Sequence, residues 1–404
     1  MIRQALILAG GRGSRLGSLT QTLPKPMLQV AGKPLLEHLI FNLVRFGIPR
    51  IVLSIGYLHD VIESYFQDGR KLGVELEYSR EATPLGTGGG LRNASHLLDD
   101  SFLVLNGDTF FDCNYLDLAR MLSPGIPAVV ALRRVLDVSR YGSVDVEGGR
   151  VRFFLEKGRT GPGYISAGVY ALTRAALEYL PRGFSSIETD LFPVLTARNI
   201  LAAQVGSGFF IDIGLPETLN AAHGALSVWQ HKPCLFLDAG AIMGAKDMDV
   251  TGLSPFRWAD EAIHAIKWCN DNGHLVMLFF PPWGAVENCV DPNAMPDIVA
   301  QLQAELCRYA AHIDAYHHFF GHSSDWIKNC LCAFNREDGL GGMIRMVMSQ
   351  WKIDVSNSVL MRTGLPGESA GNDYGVPESY YSGSGLLTWV RQRMRPCKSE
   401  KMEP

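Results

Sequence analysis

The chain has 404 residues, of which 47% are hydrophobic and 19% are charged, and its formal net charge is −4. This length exceeds the size at which one hydrophobic core stops growing, so it predicts two globular domains. The small net charge argues against a nucleic-acid or anionic membrane partner, and the first apolar run, 5–9, is too short for a signal peptide or membrane span, so we expect a cytoplasmic protein.

Short apolar runs alternate with amphipathic segments through the first half of the chain. The first predicted strand, 4–9, ends in glycines, and residues 34–46 follow it with the spacing of a helix. This alternation is typical of an α/β domain with a mostly parallel sheet, which binds ligands at the carboxyl ends of its strands. Further strands are predicted at 50–55, 74–79, 102–106, 128–133, 143–147, 150–156 and 167–171, and helices at 59–67, 91–98 and 187–195.

A domain boundary is expected close to residue 230, just before a new apolar strand at 234–237. Of eight cysteines only Cys113 precedes this point, which supports two domains of different origin. In the second half we predict helices at 260–271, 292–309 and 343–351 and a strand at 275–280. The predicted organisation is therefore a first domain at 1–228, a second α/β domain at 232–395 and a polar tail at 396–404.

A glycine-rich loop follows the first strand, and its consecutive backbone N–H groups suit a polyphosphate. Arg15 and Lys25, the latter between two prolines, add positive charge. The loop lacks the Gly-Lys-Ser/Thr ending of a P-loop, and Leu16 stands where a dinucleotide fingerprint needs a small residue. A glycine turn beside surface cations is the alternative. The residues predicted to bind the nucleotide here are Leu8, Gly10, Gly11, Gly13 and Ser14.

The segment LAGGRGSRLGSLT, followed by PKPMLQVAGKPLLEHL, resembles the signature of sugar-nucleotide pyrophosphorylases, which are nucleotidyltransferases that activate sugar phosphates. The resemblance covers about residues 1–225 and implies a Rossmann-like nucleotidyltransferase domain. It implies that the loop holds a nucleoside triphosphate, that Arg15 stabilises the leaving pyrophosphate and that Lys25 contacts phosphate. It also assigns Gly86, Thr87 and Gly88 to the segment that packs against base and ribose.

Two carboxylates match the metal-binding positions of the same family. Asp108 ends the run LNGD after an apolar strand, and Asp212 lies in FIDIGLPE. The resemblance implies that they share one Mg²⁺ ion, which carboxylate oxygens suit. Taken singly, each aspartate has an alternative role at a turn.

The residues predicted to bind the sugar phosphate are Glu156, Lys157 and Ser166, which match the sugar-contacting segments of the family. The family more often has Asn at the position of Ser166. The acids of 188–190 are interpreted chiefly as first-turn residues of a helix. The implied reaction joins a nucleoside triphosphate, GTP by preference, to a sugar 1-phosphate by in-line attack on the α-phosphorus. A non-catalytic sugar-nucleotide-binding scaffold is the alternative, and a homo-oligomer is left open.

The second half carries HKPCLFLD, which resembles the first motif of haloacid-dehalogenase-type (HAD-like) phosphatases, in particular the heptose bisphosphate phosphatase branch. Asp238 stands at the position of the nucleophile, but Gly240 replaces the acid two residues later. Phe280-Pro281 and Thr363 replace a phosphate-binding pair and a metal-binding aspartate. The resemblance therefore implies a degenerate domain that has lost phosphatase activity, with residual activity as the alternative.

The same phosphatase branch points to a heptose phosphate as the substrate of the first domain. It also commonly carries a zinc site, and His322, Cys330 and Cys332 resemble its ligands, while Phe320 occupies one expected cysteine position. Three ligands make a weak structural zinc site. Two buried cysteines and a surface histidine are the favoured interpretation.

Overall fold

The computed structural model describes residues 2–155, 158–242, 258–259, 261–280, 295–318, 331–333, 339–363 and 375–395. The chain divides into two compact units, Met1–Ser227 (unit 1) and Val228–Lys398 (unit 2). Within the described ranges no helix combines the length and the apolar character needed to cross a membrane.

The elements of unit 1 follow the predicted alternation of strands and helices. Its strands are β1 Gln4–Leu8, β2 Gln29–Val30, β3 Lys33–Pro34, β4 Arg50–Ile55, β5 Glu75–Arg80, β6 Ser101–Asn106, β7 Thr109–Phe111, β8 Ala128–Val135, β9 Ser143–Glu147, β10 Arg150–Leu155, β11 Gly163–Thr173, β12 Leu201–Gly206 and β13 Phe210–Asp212. Its helices are α1 Leu35–Arg45, α2 His59–Phe66, α3 Gly86–Asn93, α4 Tyr115–Arg120, α5 Phe192–Ala197 and α6 Pro216–Trp229.

The main sheet of unit 1 has the order β5-β4-β1-β6-β11-β8-β12-β10-β9. Strands β5, β4, β1 and β6 are parallel, and β1 in their centre is fully buried at Ala5, Leu6 and Ile7, as a strand covered on both faces must be. The prediction of a mostly parallel sheet is therefore confirmed for this half, whose strands are joined by helical connections.

The prediction is wrong for the other half of the sheet. There β11 is antiparallel to β6 and β8, and β10 is antiparallel to β9 and β12, so β8 and β12 form the parallel pair. The turn between β9 and β10 explains part of this arrangement. Gly148 and Gly149 there have φ of 58° and 74°, the positive values that a tight antiparallel hairpin requires.

A short antiparallel ribbon stands apart from the main sheet. In it β13 pairs with β7, which places Asp212 opposite Thr109, the neighbour of Asp108. The backbone N–H of Ile213 extends the ribbon by donating to the carbonyl of Asp108 at 3.1 Å. The ribbon therefore joins the end of the first half of unit 1 to its last strand.

Helix α3 begins five residues earlier than predicted, at Gly86, and a 3₁₀ turn, Ala94–Leu97, follows it. Glycines have a low helix propensity, which argues against a helix here. The helix forms nevertheless, and its glycines allow it to pack closely on the segment around Ser185. A Cβ on Gly86 would lie 2.4 Å from the carbonyl oxygen of Ser185. The predicted helix at 187–195 is a π-helical turn, Ile187–Leu191, that leads into α5.

Unit 2 contains a parallel sheet of order β17-β16-β15-β14-β18-β19, as its predicted α/β class requires. Alternate residues of β14 enter hydrophobic cores on opposite faces, with Leu235 and Leu237 on one and Phe236 on the other. The strands are β14 Cys234–Asp238, β15 Leu275–Phe280, β16 Ala315–His318, β17 Leu331–Ala333, β18 Val359–Thr363 and β19 Glu378–Tyr381. The helices are α7 Ala239–Ile242, α8 Ala262–Asp271, α9 Met295–Arg308, α10 Gly339–Gln350 and α11 Leu386–Arg393.

Candidate active site

A pocket of about 680 Å³ lies at the carboxyl ends of β1, β4, β5 and β6. This is the edge at which a parallel sheet presents its loops to a ligand. The pocket is lined by Leu8, Ala9, Gly10, Gly11, Arg12, Gly13, Ser14, Arg15, Lys25, Pro26, Gly56, Tyr57, Leu58, Glu81, Ala82, Thr83, Pro84, Gly86, Thr87, Asn106, Gly107, Asp108 and Phe184.

The glycine loop, which is predicted to bind the nucleotide, forms one wall of this pocket. A Cβ added to Gly11 would meet no atom within 4 Å, so its backbone faces open space. A Cβ on Gly10 would lie 2.8 Å from a carboxylate oxygen of Glu81, so the loop and the end of β5 are in close contact. Ser14 begins a 3₁₀ turn, Ser14–Thr20, and Arg15 is exposed on it. The loop therefore presents its glycine backbone and the cations of Arg12 and Arg15 to the pocket.

Lys25 and Asp108 form an ion pair in the floor of the pocket. The Nζ of Lys25 lies 2.5 Å from the Oδ2 of Asp108, and Lys25 is only 6% exposed. Pro24 and Pro26 flank the lysine in a 3₁₀ turn, Lys25–Met27, which fixes its backbone. The other oxygen of Asp108 accepts a hydrogen bond from the Thr109 hydroxyl at 3.1 Å.

Asp212 lies close enough to Asp108 for the two charges to interact. Burial, and after it the charge of Asp108, raise the pKa of the Asp212 carboxyl above its usual value, while Lys25 and Arg15 act in the opposite direction. One oxygen of Asp212 accepts from the N–H of Gly214 at 2.7 Å. Two mutually repelling carboxylates with hard oxygen donors fit a divalent cation of the magnesium type.

The α3 wall differs in part from the sequence-based expectation. Gly86 and Thr87 line the pocket, whereas Gly88 is buried and donates its N–H to the Ser185 carbonyl at 2.9 Å. The Thr87 hydroxyl donates to Oε2 of Glu188 at 3.0 Å and accepts from the N–H of Ile187 at 2.9 Å. The side chain of Thr87 is thus engaged within the protein.

Of the three residues predicted to bind the sugar phosphate, the structure describes Ser166. Glu156 and Lys157 fall outside the described residues. Ser166 lies on β11 and is half-buried, and its Oγ is 3.3 Å from the Tyr170 hydroxyl. Within the described part of the chain, neither Ser166 nor Asp212 belongs to the wall of the 680 Å³ pocket.

Sequence reasoning missed several residues of the pocket, notably Glu81, Asn106 and Phe184. Glu81 directly follows β5, at the same sheet edge as Asp108, and that placement is a signal in the sequence. Its carboxylate accepts from the Ser54 hydroxyl at 2.9 Å and the Leu85 N–H at 3.1 Å. Phe184 is 75% exposed at the pocket, and nothing in its local sequence indicates that position.

In unit 2, Asp238 ends β14, the strand from which β15–β17 extend to one side and β18–β19 to the other. This is the switch point at which open parallel sheets bind ligands. The half-buried Asp238 accepts a hydrogen bond from the N–H of Gly240 at 2.8 Å. Pro281, Phe320, His322 and Cys330 fall outside the described residues, and Cys332 lies on β17.

A family model described as Nucleotidyl transferase matches residues 4–227. The chain is 38% identical over 219 residues to the D-glycero-alpha-D-manno-heptose 1-phosphate guanylyltransferase of Campylobacter jejuni, a match that covers 53% of this chain and 96% of that protein. It is 39% identical over 223 residues to the mannose-1-phosphate guanylyltransferase of Mycobacterium tuberculosis, covering 53% of this chain and 61% of that protein.

Among solved structures, HddC from Yersinia pseudotuberculosis, crystallised in complex with GMP-PN, is similar with a TM-score of 0.51 and 35% identity. That match covers 56% of this chain and 100% of HddC. The family model spans more than half of the chain, and it includes the glycine loop, the Lys25–Asp108 pair and Asp212. The chain belongs to the nucleotidyl transferase family.

Proposed function

We propose that unit 1 is a sugar-1-phosphate guanylyltransferase that joins GTP to D-glycero-α-D-manno-heptose 1-phosphate, releasing pyrophosphate. The observation that carries this proposal is the pocket in which the glycine loop faces the Lys25–Asp108 pair, with Asp212 within electrostatic range. The names of the relatives from Campylobacter jejuni and Mycobacterium tuberculosis support guanylyl transfer to a heptose or mannose 1-phosphate.

The reaction needs no protein nucleophile. A phosphate oxygen of the sugar 1-phosphate attacks the α-phosphorus of GTP, and the bond from that phosphorus to the oxygen bridging to the β-phosphate breaks. Positioning and neutralisation of charge lower the barrier of such transfers. The backbone N–H groups of the glycine loop hold the triphosphate, Arg15 stabilises the leaving pyrophosphate and Lys25 offsets charge on the phosphates.

Asp108 and Asp212 would hold a magnesium ion. When bound, the ion neutralises charge on the phosphate oxygens. Lys25 orients Asp108 through its 2.5 Å contact, and the Gly214 N–H orients Asp212. Burial, and after it the charge of Asp108, raise the pKa of Asp212, and a cation held by the two residues would offset their repulsion.

Glu81 supports guanine as the base. Guanine presents two adjacent donors, N1–H and the 2-amino group, whereas adenine, cytosine and uracil do not. The Glu81 carboxylate lines the pocket and uses its oxygens on Ser54 and Leu85, which fixes its orientation. A carboxylate has about four acceptor sites, so lone pairs remain for the guanine edge.

For the sugar 1-phosphate we propose Glu156, Lys157 and Ser166 as contacts. For unit 2 we propose a HAD-like domain without phosphatase activity, because Gly240 stands where the acid of that chemistry would be needed. The parallel sheet with Asp238 at its switch point supports this fold. A structural or assembly role for unit 2, including a homo-oligomer, is part of the proposal.

One endpoint assay tests the function. The full chain is incubated with Mg²⁺, each of GTP, ATP, UTP, CTP and dTTP, and each of heptose, mannose and glucose 1-phosphates, and pyrophosphate is measured. We expect release with GTP and a manno-configured sugar. Binding of GTP without release in any combination would instead support a non-catalytic sugar-nucleotide-binding protein. Phosphate release from heptose bisphosphate would show that unit 2 retains phosphatase activity.

A further inference from the structure

Glu188 is the centre of a hydrogen-bond network between the nucleotide pocket and β11. Its Oε2 accepts from the hydroxyls of Thr87 at 3.0 Å and Ser186 at 2.9 Å, and its Oε1 accepts from the Tyr170 hydroxyl at 3.1 Å. Tyr170 in turn lies 3.3 Å from the Ser166 Oγ. The network therefore connects a residue at the start of α3, which lines the pocket, to Ser166, 79 positions further along the chain.

The chemistry of the carboxylate fixes the direction of each hydrogen bond. An ionised carboxylate only accepts, so Tyr170 has to donate its single proton to Glu188. Burial, and after it the charge of Glu188, hold the pKa of Tyr170 well above its usual range, so that proton is retained at neutral pH. Tyr170 then has no proton for Ser166, and Ser166 must donate to Tyr170. The remaining lone pair of Tyr170 is taken by the Asn106 amide, which also hydrogen-bonds it.

The direction of these hydrogen bonds limits what else the Ser166 hydroxyl can bind. A serine hydroxyl has one proton and two acceptor positions, and the proton is used on Tyr170. Any further partner of the Ser166 oxygen must therefore be a donor. Phosphate oxygens at neutral pH are acceptors, whereas each hydroxyl of a sugar can donate.

We propose that Glu188 is a positioning residue that acts through Tyr170 to hold Ser166 as a hydrogen-bond acceptor, so that Ser166 selects a hydroxyl of the sugar and not its phosphate. The inference rests on the proposed function of unit 1. It assigns Glu188 a role beyond its place in the first turn of the helix, and it gives Ser166 a defined polarity.

The test measures pyrophosphate release at saturating GTP with mannose 1-phosphate and with its analogues deoxygenated in turn at C2, C3, C4 and C6. In the wild type, one analogue is expected to lose about 10-fold in kcat/KM, the effect of one hydrogen bond to a sugar hydroxyl. In S166A the parent and that analogue are expected to react equally within about twofold, since the partner of the hydroxyl is gone. The KM for GTP stays unchanged.

Y170F and E188Q are measured alone and combined with S166A. If Tyr170 and Glu188 act through Ser166, each lowers the preference for the parent sugar alone but adds no further loss of that preference in the S166A background. If Tyr170 and Glu188 had a purely structural role, the losses of kcat/KM from each variant and from S166A would add up, both for the parent sugar and for the deoxy analogue. S123A, an exposed serine away from the network, is the control for serine removal, and thermal unfolding checks that each variant is folded.

Three results would overturn the proposal. S166A could keep the full discrimination against the deoxy analogue, or lose activity equally with every analogue, which would indicate a contact to phosphate. Additive losses for Y170F and E188Q would remove the positioning role of Glu188. If S166A does not fold, Y170F provides the test. The proposal requires Y170F to weaken the discrimination between mannose 1-phosphate and the deoxy analogue that the wild type disfavours. Absence of turnover with every sugar in the wild type would instead contradict the proposed function.

Discussion

The ammonium of Lys25 lies 2.5 Å from the carboxylate of Asp108, although 83 positions separate the two residues in the sequence. Lys25 approaches from a turn stiffened by two prolines, and Asp108 follows the end of β6. The lysine is almost fully buried, so removal of this carboxylate would leave a buried charge without its ion-pair partner. The pair therefore couples the stability of the site to its chemistry.

Replacing Asp108 by Asn is expected to lower turnover severely. Loss of a preorganised charge in an active site costs at least ~2.7 kcal/mol of transition-state stabilisation, or about 100-fold in kcat. The measurement is pyrophosphate release at saturating GTP and sugar 1-phosphate. D100N, which changes a fully exposed aspartate, is the control. Normal release by D108N would rule out a catalytic role for Asp108.

Asp212 should make the stability of the metal-free chain depend on pH. Its pKa is raised in the folded state by burial and by Asp108, so the folded chain binds the proton more tightly than the unfolded chain. Stability is therefore gained as the pH falls through the raised pKa and lost as the pH rises through it. In EDTA, we expect D212N to be more stable than the wild type at pH 7.5 and this advantage to shrink towards pH 4, as followed by urea unfolding. An advantage of D212N that grows on acidification would contradict the assignment.

Replacing Glu81 by Gln is expected to weaken the choice of guanine. The amide offers one acceptor oxygen where the carboxylate offers two, so kcat/KM for GTP should fall about 10-fold or more. Inosine triphosphate lacks the 2-amino group, and its kcat/KM should fall less. The GTP-to-ITP ratio is therefore the readout. E75Q, which changes the first residue of β5 and a side chain that is 72% exposed, should leave the ratio unchanged.

Replacing Phe184 by Ala is expected to raise the KM for GTP without changing the melting temperature. The ring is 75% exposed and lines the pocket, so it can contribute little to folding but can contact a bound ligand. Stacking of an aromatic ring on a base contributes about 1–3 kcal/mol, or about 5-fold or more in binding. F153A removes a comparably exposed ring (56%) outside the pocket wall and is the control. Equal effects of the two variants on GTP would argue against a contact.

Substitutions at two glycines should have different effects, one on GTP binding and the other on the free energy of unfolding. A methyl group at Gly11 meets no protein atom within 4 Å, so G11A should unfold like the wild type but bind GTP poorly. A methyl group at Gly88 would lie 2.7 Å from the Ser185 Oγ and 2.8 Å from Leu180, so G88A should lose about 1–3 kcal/mol of stability. Unfolding curves and GTP titrations measure both. A destabilised G11A would contradict the open space at Gly11, and an unaffected G88A would show that the segment around Ser185 moves to accept the methyl group.

The parallel half of the unit 1 sheet was predictable because three of its strands, β1, β4 and β6, are largely buried and read as continuous apolar runs. The antiparallel half was not, since the order of β8 to β12 depends on pairings between distant strands and not on periodicity. The ribbon strands β7 and β13 have three residues each, too short for any pattern. The proximity of Asp108 and Asp212 was therefore predicted from the resemblance and not from secondary structure.

Side-chain direction was the other limit on sequence reasoning. Thr87 lies in the segment assigned to the nucleotide, but its hydroxyl turns to Glu188, which follows it by 101 positions. Whether the Thr87 hydroxyl binds a ligand or another residue depends on a neighbour that is distant in the sequence, and no local sequence pattern reveals that neighbour. Glu188 itself is interpreted from the sequence as a residue at the start of a helix. That interpretation accounts for its position but not for the hydrogen bonds that it accepts from three hydroxyl groups.

The β7–β13 ribbon determines which kinds of genetic change the site tolerates. The register of its backbone pairing places Asp212 opposite Thr109, and the rings of Phe210 and Phe111 pack across the same ribbon. Exchange of one apolar side chain for another there leaves the spacing of the carboxylates intact. Deletion of one residue within β13 would turn Asp212 to the opposite face of the ribbon, because side chains alternate along a strand. This enzyme should accept many substitutions in the ribbon and no change in its length.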